Sequence, residues 1–199
     1  AVSSVNAPGS IGPLINSAPA IVGPPGTWLQ GSTISHKPFE SNYASRDALL
    51  WVGSNHGMMH AFRVVDGVEQ IAILPPSLLS KQVELYTAYR NDPRNPKNPA
   101  GQSGDTNEHI YGVANSFRFG DVWDASLSTP GYRTIGIVTT GPGGDDVVAL
   151  DVTKVPKPDD LSYPSEPVKV LWAHDGTTLT GLQQTWSIPA MGPAQTGNS

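Results

Sequence analysis

The chain contains no cysteine among its 199 residues, which excludes disulfide bonds, thiolate metal sites and cysteine nucleophiles. Charge is also scarce: charged residues make up only 15% of the chain, and the net charge is −5 with no cluster of lysine and arginine. Nucleic-acid binding, which needs dense positive charge to neutralise phosphates, is therefore not expected. A membrane span is not expected either, since no apolar run approaches the roughly 20 residues that a spanning helix requires.

Turn-forming residues are abundant instead. The 21 glycines and 19 prolines favour turns over long helices, although their fraction falls short of that typical of disordered chains. The hydrophobic content of 38% is sufficient for one ordinary domain with a core. This composition favours an all-β protein.

Two hairpin patterns organise the sequence. In residues 50–62 (LWVGSNHGMMHAF), two hydrophobic runs flank a turn in which Gly57 supplies the positive φ that a tight turn requires. The pattern returns where residues 134–138 and 147–152 flank the glycine-rich turn 141–144. Together with these hairpins, further short apolar runs complete two sets of four strands: 16–23, 68–74, 111–123 and 168–173. Sequential four-stranded sets of this kind are typical of propeller blades.

The pattern therefore predicts part of a β-propeller, with two four-stranded blades, the first strand of a third blade, and long insertions rich in proline, glycine and asparagine. We expect a linker or arm over 1–13 and a partial propeller over 14–199. Its predicted parts are a first blade (14–76), an insertion (77–107), a second blade (108–173) and the start of a third blade (174–199), where 186–192 repeats the form of 16–23.

Two blades alone would leave apolar faces and sheet edges exposed. The chain also begins at Ala1, without an initiator methionine or a signal peptide. We therefore expect a piece of a larger propeller, whose remaining blades come from the parent chain or from another chain. A short helix is expected within 77–89. The long connections 24–47 and 90–107 are the predicted contact surfaces, because loops on a rigid scaffold commonly carry function.

His56 and His60 have the spacing of a helical zinc pair, but the turn at Gly57 opposes a helix. On an extended chain the two side chains would lie about 13 Å apart, and no third ligand is evident. Zinc binding is therefore not expected. His60 is predicted to be a half-buried strand residue with a hydrogen-bonded ring.

The aspartates do not form a recognisable metal or catalytic set. Asp145, Asp146 and Asp151 follow a glycine-rich turn, but their spacing does not fit a calcium loop and no bidentate glutamate follows. Asp121 and Asp124 can be read as an acid–base pair, although aspartates that cap turns at strand ends are far commoner. All five are expected to be turn or strand-end residues.

No catalytic, cofactor-binding or metal-binding residue is assigned from the sequence. The turn 141–144 lacks the Gly-Lys-Ser/Thr ending of a phosphate loop, and neither a Ser/His/Asp triad nor a Gly-x-Ser-x-Gly elbow is recognisable. Trp51, Trp123 and Trp172 are expected to pack in the core or between blades, rather than to stack on carbohydrate or line a quinone pocket.

Several short motifs occur in a defined order. They are 16–19 (NSAP), the hairpin 50–62, 73–77 (ILPPS), 109–113 (HIYGV), 119–122 (FGDV), 141–144 (GPGG), 148–153 (VALDVT) and 170–172 (VLW). Over residues 11–192 this series resembles the C-terminal propeller of PilY-type type IV pilus biogenesis and tip-adhesin proteins. Two positions depart from that pattern, since His56 and Ala114 stand where such proteins usually have aspartate.

The resemblance implies a non-enzymatic bacterial protein at the cell surface or outside the cell. Its propeller would be a platform for pilus assembly and tip adhesion through contacts with minor pilins. The resemblance also implies calcium for a longer parent chain, but this segment has no Asp-x-Asp-x-Asp-Gly spacing, so no cofactor is expected here. The alternatives are a generic extracytoplasmic quinoprotein-like propeller scaffold and a quinoprotein dehydrogenase fragment, although the repeated Gly-Lys-x-x-Trp docking pattern of the latter is missing.

Overall fold

The computed structural model describes residues 11–26, 35–91, 110–155 and 168–192. They contain two antiparallel four-stranded sheets, each with its strands in chain order. Blade 1 consists of β1 (Ala20–Val22), β2 (Leu49–Gly53), β3 (Met59–Arg63) and β4 (Glu69–Ile73). Blade 2 consists of β5 (Arg118–Asp124), β6 (Gly131–Thr139), β7 (Val147–Asp151) and β8 (Lys169–His174). The predicted partial propeller with two four-stranded blades is confirmed.

The two predicted hairpins form the centre of each blade. Gly57 has a φ of 88°, and the Ser54 amide donates to the Met58 carbonyl at 2.8 Å to close the β2–β3 turn. In blade 2 the turn begins at Gly141, with a φ of 65°. Left-handed backbone of this kind favours glycine, which explains why the sequence places glycine at both turns.

Three helices lie between the strands. The α1 helix (Lys37–Asn42) falls within 24–47, which the sequence reading treated only as a long connection. Its Phe39 is buried, and ring packing rather than helix length holds it, as a six-residue helix is too short to be stable alone. The helix expected within 77–89 is present as two pieces, α2 (Pro76–Leu79) and α3 (Gln82–Asn91).

The blades pack face to face around one core. Trp51 of β2 is 1% exposed, and its ring lies 5.5 Å from that of Phe119 in β5. The buried members of this core come from both sheets and their connections: Val22, Leu49, Trp51, Met59, Ala61, Ile71, Leu78, Val113, Phe117, Val138, Val148, Leu150, Val152 and Val155. Burial of apolar area on this scale is the main favourable term holding the blades together.

The segment expected to begin a third blade lies beside the start of β5. Asn115 donates from Nδ2 to the carbonyls of Thr185 (2.7 Å) and Ser187 (3.1 Å), just as the Ala18 amide before β1 donates to Ser116 Oγ at 3.0 Å. Within the described residues 168–192, however, 186–192 forms no strand, and Thr185 makes only an isolated bridge to Gly141. The first strand of blade 1, β1, forms by pairing with the second strand, β2. None of the described residues supplies an equivalent second strand for 186–192.

Candidate functional site

The hairpin turns of both blades meet on one side of the molecule, which we call the turn face. It comprises the β2–β3 turn, residues 110–115 and the β6–β7 turn. A Cβ at Gly112 would lie 2.5 Å from the Gly57 amide nitrogen, and a Cβ at Gly143 would overlap the Gly112 carbonyl oxygen. These glycines are required because the three backbones approach too closely for any side chain.

Asn55 joins the blades at the turn face. Its Nδ2 donates to the Ile110 carbonyl, and its Oδ1 accepts from the Gly112 amide, both at 2.9 Å. The side chain thus satisfies two backbone groups of a segment that is remote in sequence. The sequence pattern predicts only that Asn55 stands in a tight turn, and it gives no sign of this cross-blade role.

Helices α2 and α3 are fastened onto the turn face by polar and apolar contacts. Ser77 donates its hydroxyl to Asp146, and Lys81 Nζ donates to the Gly143 carbonyl at 2.9 Å. Leu78 and Leu85 are buried beneath the helices. The helix pair of the 77–107 insertion is therefore held against the second blade as well as the first.

The opposite side of these helices is apolar and exposed. Leu79, Val83 and Tyr86 are 66%, 77% and 62% exposed. Leu79 ends α2, whereas Val83 and Tyr86 lie three residues apart on one face of α3. We call these three side chains the α2–α3 stripe; exposed apolar side chains on a rigid support are a feature of protein interaction surfaces.

Asp146 lies at the base of this surface and is buried. Burial raises the pKa of its carboxyl above the ordinary value, against the lowering effect of the Ser77 hydrogen bond, and the nearby charge of Asp145 raises it further. Asp145 itself accepts from the Gly176 amide at 2.9 Å. The aspartates after the glycine-rich turn thus bind backbone and hydroxyl groups, as turn residues do.

Blade 1 contains a hydrogen-bonded Ser–His–Glu chain that sequence reasoning did not recognise. The Ser54 Oγ lies 3.0 Å from His60 Nε2, and His60 Nδ1 lies 2.5 Å from Glu69 Oε1. This is the order of groups in a hydrolase triad. Ser54, however, is 0% exposed, so its hydroxyl has no access to a substrate carbonyl. The predicted hydrogen-bonded ring of His60 is confirmed, but the residue is buried, at 9% exposure, and not half-buried as predicted.

The histidine pair does not converge on a metal. His56 lies against Gly12, where an added Cβ would stand 2.5 Å from the imidazole, and the pKa of His56 is lowered by burial and by the charge of His60. Across the described ranges, no three His, Asp or Glu side chains are grouped so that they could hold a metal ion. The calcium implied for a longer parent chain stays a prediction.

The remaining aspartates divide into two kinds. Asp124 ends β5 and accepts from the Ser126 amide and hydroxyl at 2.9 and 2.6 Å; these hydrogen bonds lower the pKa of its carboxyl. Asp151 accepts from the Thr153 amide at 3.0 Å. Both match the predicted capping role. Asp121 does not: it lies inside β5, is buried, and accepts from Thr134 Oγ1 at 2.6 Å.

The tryptophans also differ from one another. Trp51 packs between the blades as predicted. Trp123 packs edge to face on Tyr132, with ring centroids 5.2 Å apart. Within this chain the predicted packing of Trp172 is not found: this side chain on β8 is 42% exposed and contacts the ring of His174 on the outward face of blade 2.

The two predicted contact insertions are only partly visible. Residues 27–34 of the first and 92–107 of the second lie outside the described residues. None of the described helices has the length and apolar character needed to cross a membrane.

Comparisons with known proteins place these features in context. The chain is 30% identical over 192 residues to the type IV pilus biogenesis factor PilY1 of Pseudomonas aeruginosa, covering 94% of this chain and 14% of that protein. It is 29% identical over 195 residues to a PilY1 homolog of Xylella fastidiosa, covering 95% of this chain and again 14% of the relative. The chain thus spans about a seventh of the length of these relatives. No protein-family model matches it.

A solved structure supports the fold. The chain superimposes on the C-terminal domain of Pseudomonas aeruginosa PilY1 with a TM-score of 0.50 and 22% identity, covering 78% of this chain and 24% of the solved one. The resemblance to PilY-type proteins that the ordered motifs predicted is confirmed.

Proposed function

We propose that this PilY-type chain takes part in type IV pilus biogenesis, as a rigid platform on which other pilus components assemble. Similarity over 94% of the chain to a type IV pilus biogenesis factor supports this role. Because the chain spans only 14% of that relative, the proposal concerns what this propeller segment contributes. Contacts with minor pilins, tip adhesion and a cell-surface location are the finer parts of the same proposal.

The exposed stripe of α2 and α3 is the observation that carries the platform role. Its support is immobilised through Ser77 and Lys81, which bind blade 2, while Val83 and Tyr86 point outward. A partner that covers the stripe removes apolar area from water without first ordering the helices, and preorganisation of this kind favours binding. We propose that a pilus component contacts the molecule here.

A second surface of the platform is the outward face of blade 2. By sheet register, Ile137 and Trp172 occupy the positions that Trp51 and Ile71 occupy in blade 1. In blade 1 these positions are buried against the next sheet. We propose that a further blade, from the parent chain or another chain, covers the outward face of blade 2 in the same way.

The proposed role is non-enzymatic. The hydroxyl of Ser54 is enclosed, and the carboxylates Asp124 and Asp151 are occupied by backbone amides and by Arg133. These arrangements support a structural use of the polar groups that most resemble catalytic machinery.

Complementation in the source bacterium tests the proposal. The gene is deleted and restored as wild type, as the double variant Val83→Ser/Tyr86→Ser, or as Val65→Ser; surface pili are counted by electron microscopy. Val65 is the matched control, since it is a valine of similar exposure (82%) in the β3–β4 turn. We expect the deletion to lose pili, the double variant to restore few, and the control to restore normal numbers.

Two results would contradict different parts of the proposal. Normal piliation in the deletion strain would overturn the role in pilus biogenesis. Full restoration by the double variant, with the deletion strain lacking pili, would leave that role intact and remove the α2–α3 stripe as the contact surface.

A further inference from the structure

The two blades share an irregularity in strand pairing, which gives a residue-by-residue alignment of one blade on the other. In blade 1 the register shifts between Ala61 and Phe62. In blade 2 it shifts between Ala149 and Leu150, at the same point of the third strand. Phe62 and Leu150 therefore hold the same position in their blades.

A backbone hydrogen bond just beyond the third strand gives the same alignment. The Val64 amide donates to the Ala48 carbonyl at 2.9 Å, and the Val152 amide donates to the Thr134 carbonyl at 2.9 Å. Val64 thus corresponds to Val152. Because side chains alternate along a strand, these two valines lie on the same sheet face as the residue two positions before them.

In blade 2 these positions bind the neighbouring blade. Leu150 and Val152 are 0% and 3% exposed, and both belong to the core that the blades share. Phe119 of β5 lies in the same row of the sheet as Leu150. Its ring packs against that of Trp51, with 5.5 Å between the centroids. This face of blade 2 therefore accepts the large side chain that blade 1, the preceding blade, presents.

In blade 1 the same positions are apolar but open, on the sheet face that points away from blade 2. Ile21, Leu50 and Phe62 form one row across the sheet, which corresponds to the row of Phe119 in blade 2. Ile21 is 64% exposed and Val64 is 49% exposed, while Leu50 and Phe62 are partly exposed. We call these four side chains the outward patch of blade 1.

We infer, on the basis of the platform of blades proposed above, that the outward patch of blade 1 is a second blade-binding surface. It receives a preceding blade of the parent chain in the way that blade 2 receives blade 1. The occupant is a four-stranded sheet with large apolar side chains at the positions of Trp51 and Ile71, since blade 1 buries these two against blade 2.

Two observations favour a blade as the occupant. The equivalent positions of blade 2 are covered by a blade within this chain, and the chain spans only 14% of the similar Pseudomonas aeruginosa protein, so proteins of this type are long enough to supply another blade. With the outward face of blade 2 covered as well, blades 1 and 2 become an internal pair that has a neighbour on each side.

Cysteine labelling tests the inference, because the chain has no cysteine of its own. Val64→Cys places a thiol in the outward patch. Val65→Cys is the matched control, since this neighbouring valine is 82% exposed. Both positions lie in the tryptic peptide 64–81, so mass spectrometry follows maleimide labelling of one peptide. Each variant is made in the 199-residue chain and in the native protein, purified as a single polypeptide.

We expect Val64→Cys to be labelled about tenfold more slowly in the native protein than in the chain, because the thiol reacts only when the covering blade opens. Val65→Cys should be labelled at similar rates in both samples. Equal rates for Val64→Cys, or equal slowing of Val65→Cys, would overturn the inference. A rate in the 199-residue chain that falls with protein concentration would also overturn it, because a second copy would then cover the patch.

Footprinting of the wild type requires no substitution. Hydroxyl-radical labelling of Phe62 should be lower in the native protein than in the chain, and unchanged labelling would overturn the inference even if Val64→Cys failed to fold. Protection of Trp172 without protection of Phe62 would overturn this inference and leave the proposed cover of blade 2 intact. Protection of Phe62 without protection of Trp172 would support this inference and remove the proposed cover of blade 2.

Discussion

Blade 1 and blade 2 have the same strand order and the same register, but their equivalent faces differ in exposure. Leu49, Trp51, Met59 and Ile71 of blade 1 are buried against blade 2. The register places Ile135, Ile137, Val147 and Trp172 at the corresponding positions of blade 2. These residues are partly or largely exposed.

The difference in exposure shows that the apolar face of a blade is buried only where a neighbouring blade covers it. Both sheets carry large apolar side chains on both faces, a pattern that suits a sheet covered on each side. Blade 1 has its partner on one face, and the apolar positions there are buried. The outward face of blade 2 has apolar residues at the corresponding positions, and their exposure supports the proposal that a further blade covers them.

Truncation of Trp51 should produce the largest effect. Trp51→Ala removes a buried indole from the contact between the blades, and the expected loss in free energy of unfolding is about 3–5 kcal/mol. Chemical denaturation followed by circular dichroism measures it. A loss below about 1 kcal/mol would mean that this face does not hold the blades together.

A methyl group at Gly143 should be the next most costly change. The Cβ of Gly143→Ala would overlap the Gly112 carbonyl, and the backbones must separate at an expected cost of about 3 kcal/mol. Gly131→Ala is the control, because its Cβ would meet only the Thr129 carbonyl oxygen at 3.8 Å. Equal melting temperatures for the two variants would contradict the close stacking of turns on the turn face.

The buried carboxyl of Asp146 should give a smaller, pH-dependent effect. Burial raises its pKa in the folded state, so the folded protein binds the proton more tightly and loses stability as pH rises through the raised value. Asp146→Asn removes this loss and keeps an oxygen that accepts from Ser77. We expect the variant to match the wild type near pH 3.5 and to be more stable at pH 7, by about 1 kcal/mol.

Asp175 provides a control of opposite sign. Hydrogen bonds from Thr177 and Thr178 lower its pKa to about 2, so its carboxylate contributes stability that is present at neutral pH and lost as pH falls through that value. Asp175→Asn should therefore be less stable than the wild type at pH 7.

The prediction for Asp146 has its own contrary result. If Asp146→Asn were less stable than the wild type at pH 7, the hydrogen bond from Ser77 to the carboxylate would contribute more to stability than burial of the charge costs.

Trp172→Ala should have the smallest effect on stability, at most about 1 kcal/mol, although it removes the same side chain as Trp51→Ala. Because both variants replace tryptophan with alanine, a difference between their losses of stability reflects the exposure of the two faces and not the type of residue. A loss as large as that of Trp51→Ala would mean that the outward face of blade 2 is already packed.

The sequence predicted the parts of the fold that local patterns determine. Hydrophobic runs around Gly57 and Gly141 placed both hairpins, because turn geometry and strand alternation are local properties. The α1 helix was missed since its stability depends on the contact of Phe39 with Tyr132, 6.0 Å between rings and far apart in sequence. Trp172 is exposed within this chain, which the sequence did not predict because a strand pattern does not reveal which sheet face has a neighbour.

The site could be predicted only in outline. The ordered motifs identified the resemblance, and His60 was recognised as a hydrogen-bonded strand residue. Its partner Glu69 was not identified, because the register shift between Ala61 and Phe62 changes how β3 and β4 align. Ser54 was not identified either, because it follows the end of β2, where strand alternation no longer places a side chain. The cross-blade role of Asn55 depends on backbone groups from another segment, which no local pattern encodes.

Solvent labelling of Trp172 tests the central claim most directly. Hydroxyl-radical footprinting is carried out on the purified 199-residue chain and on the native protein isolated from the source bacterium, with buried Trp51 as the reference. The account predicts that Trp172 is labelled strongly in the chain and at least fivefold less in the native protein, where a further blade covers it. Equal labelling of Trp172 in both samples would contradict the claim that the outward face of blade 2 is a blade-binding surface.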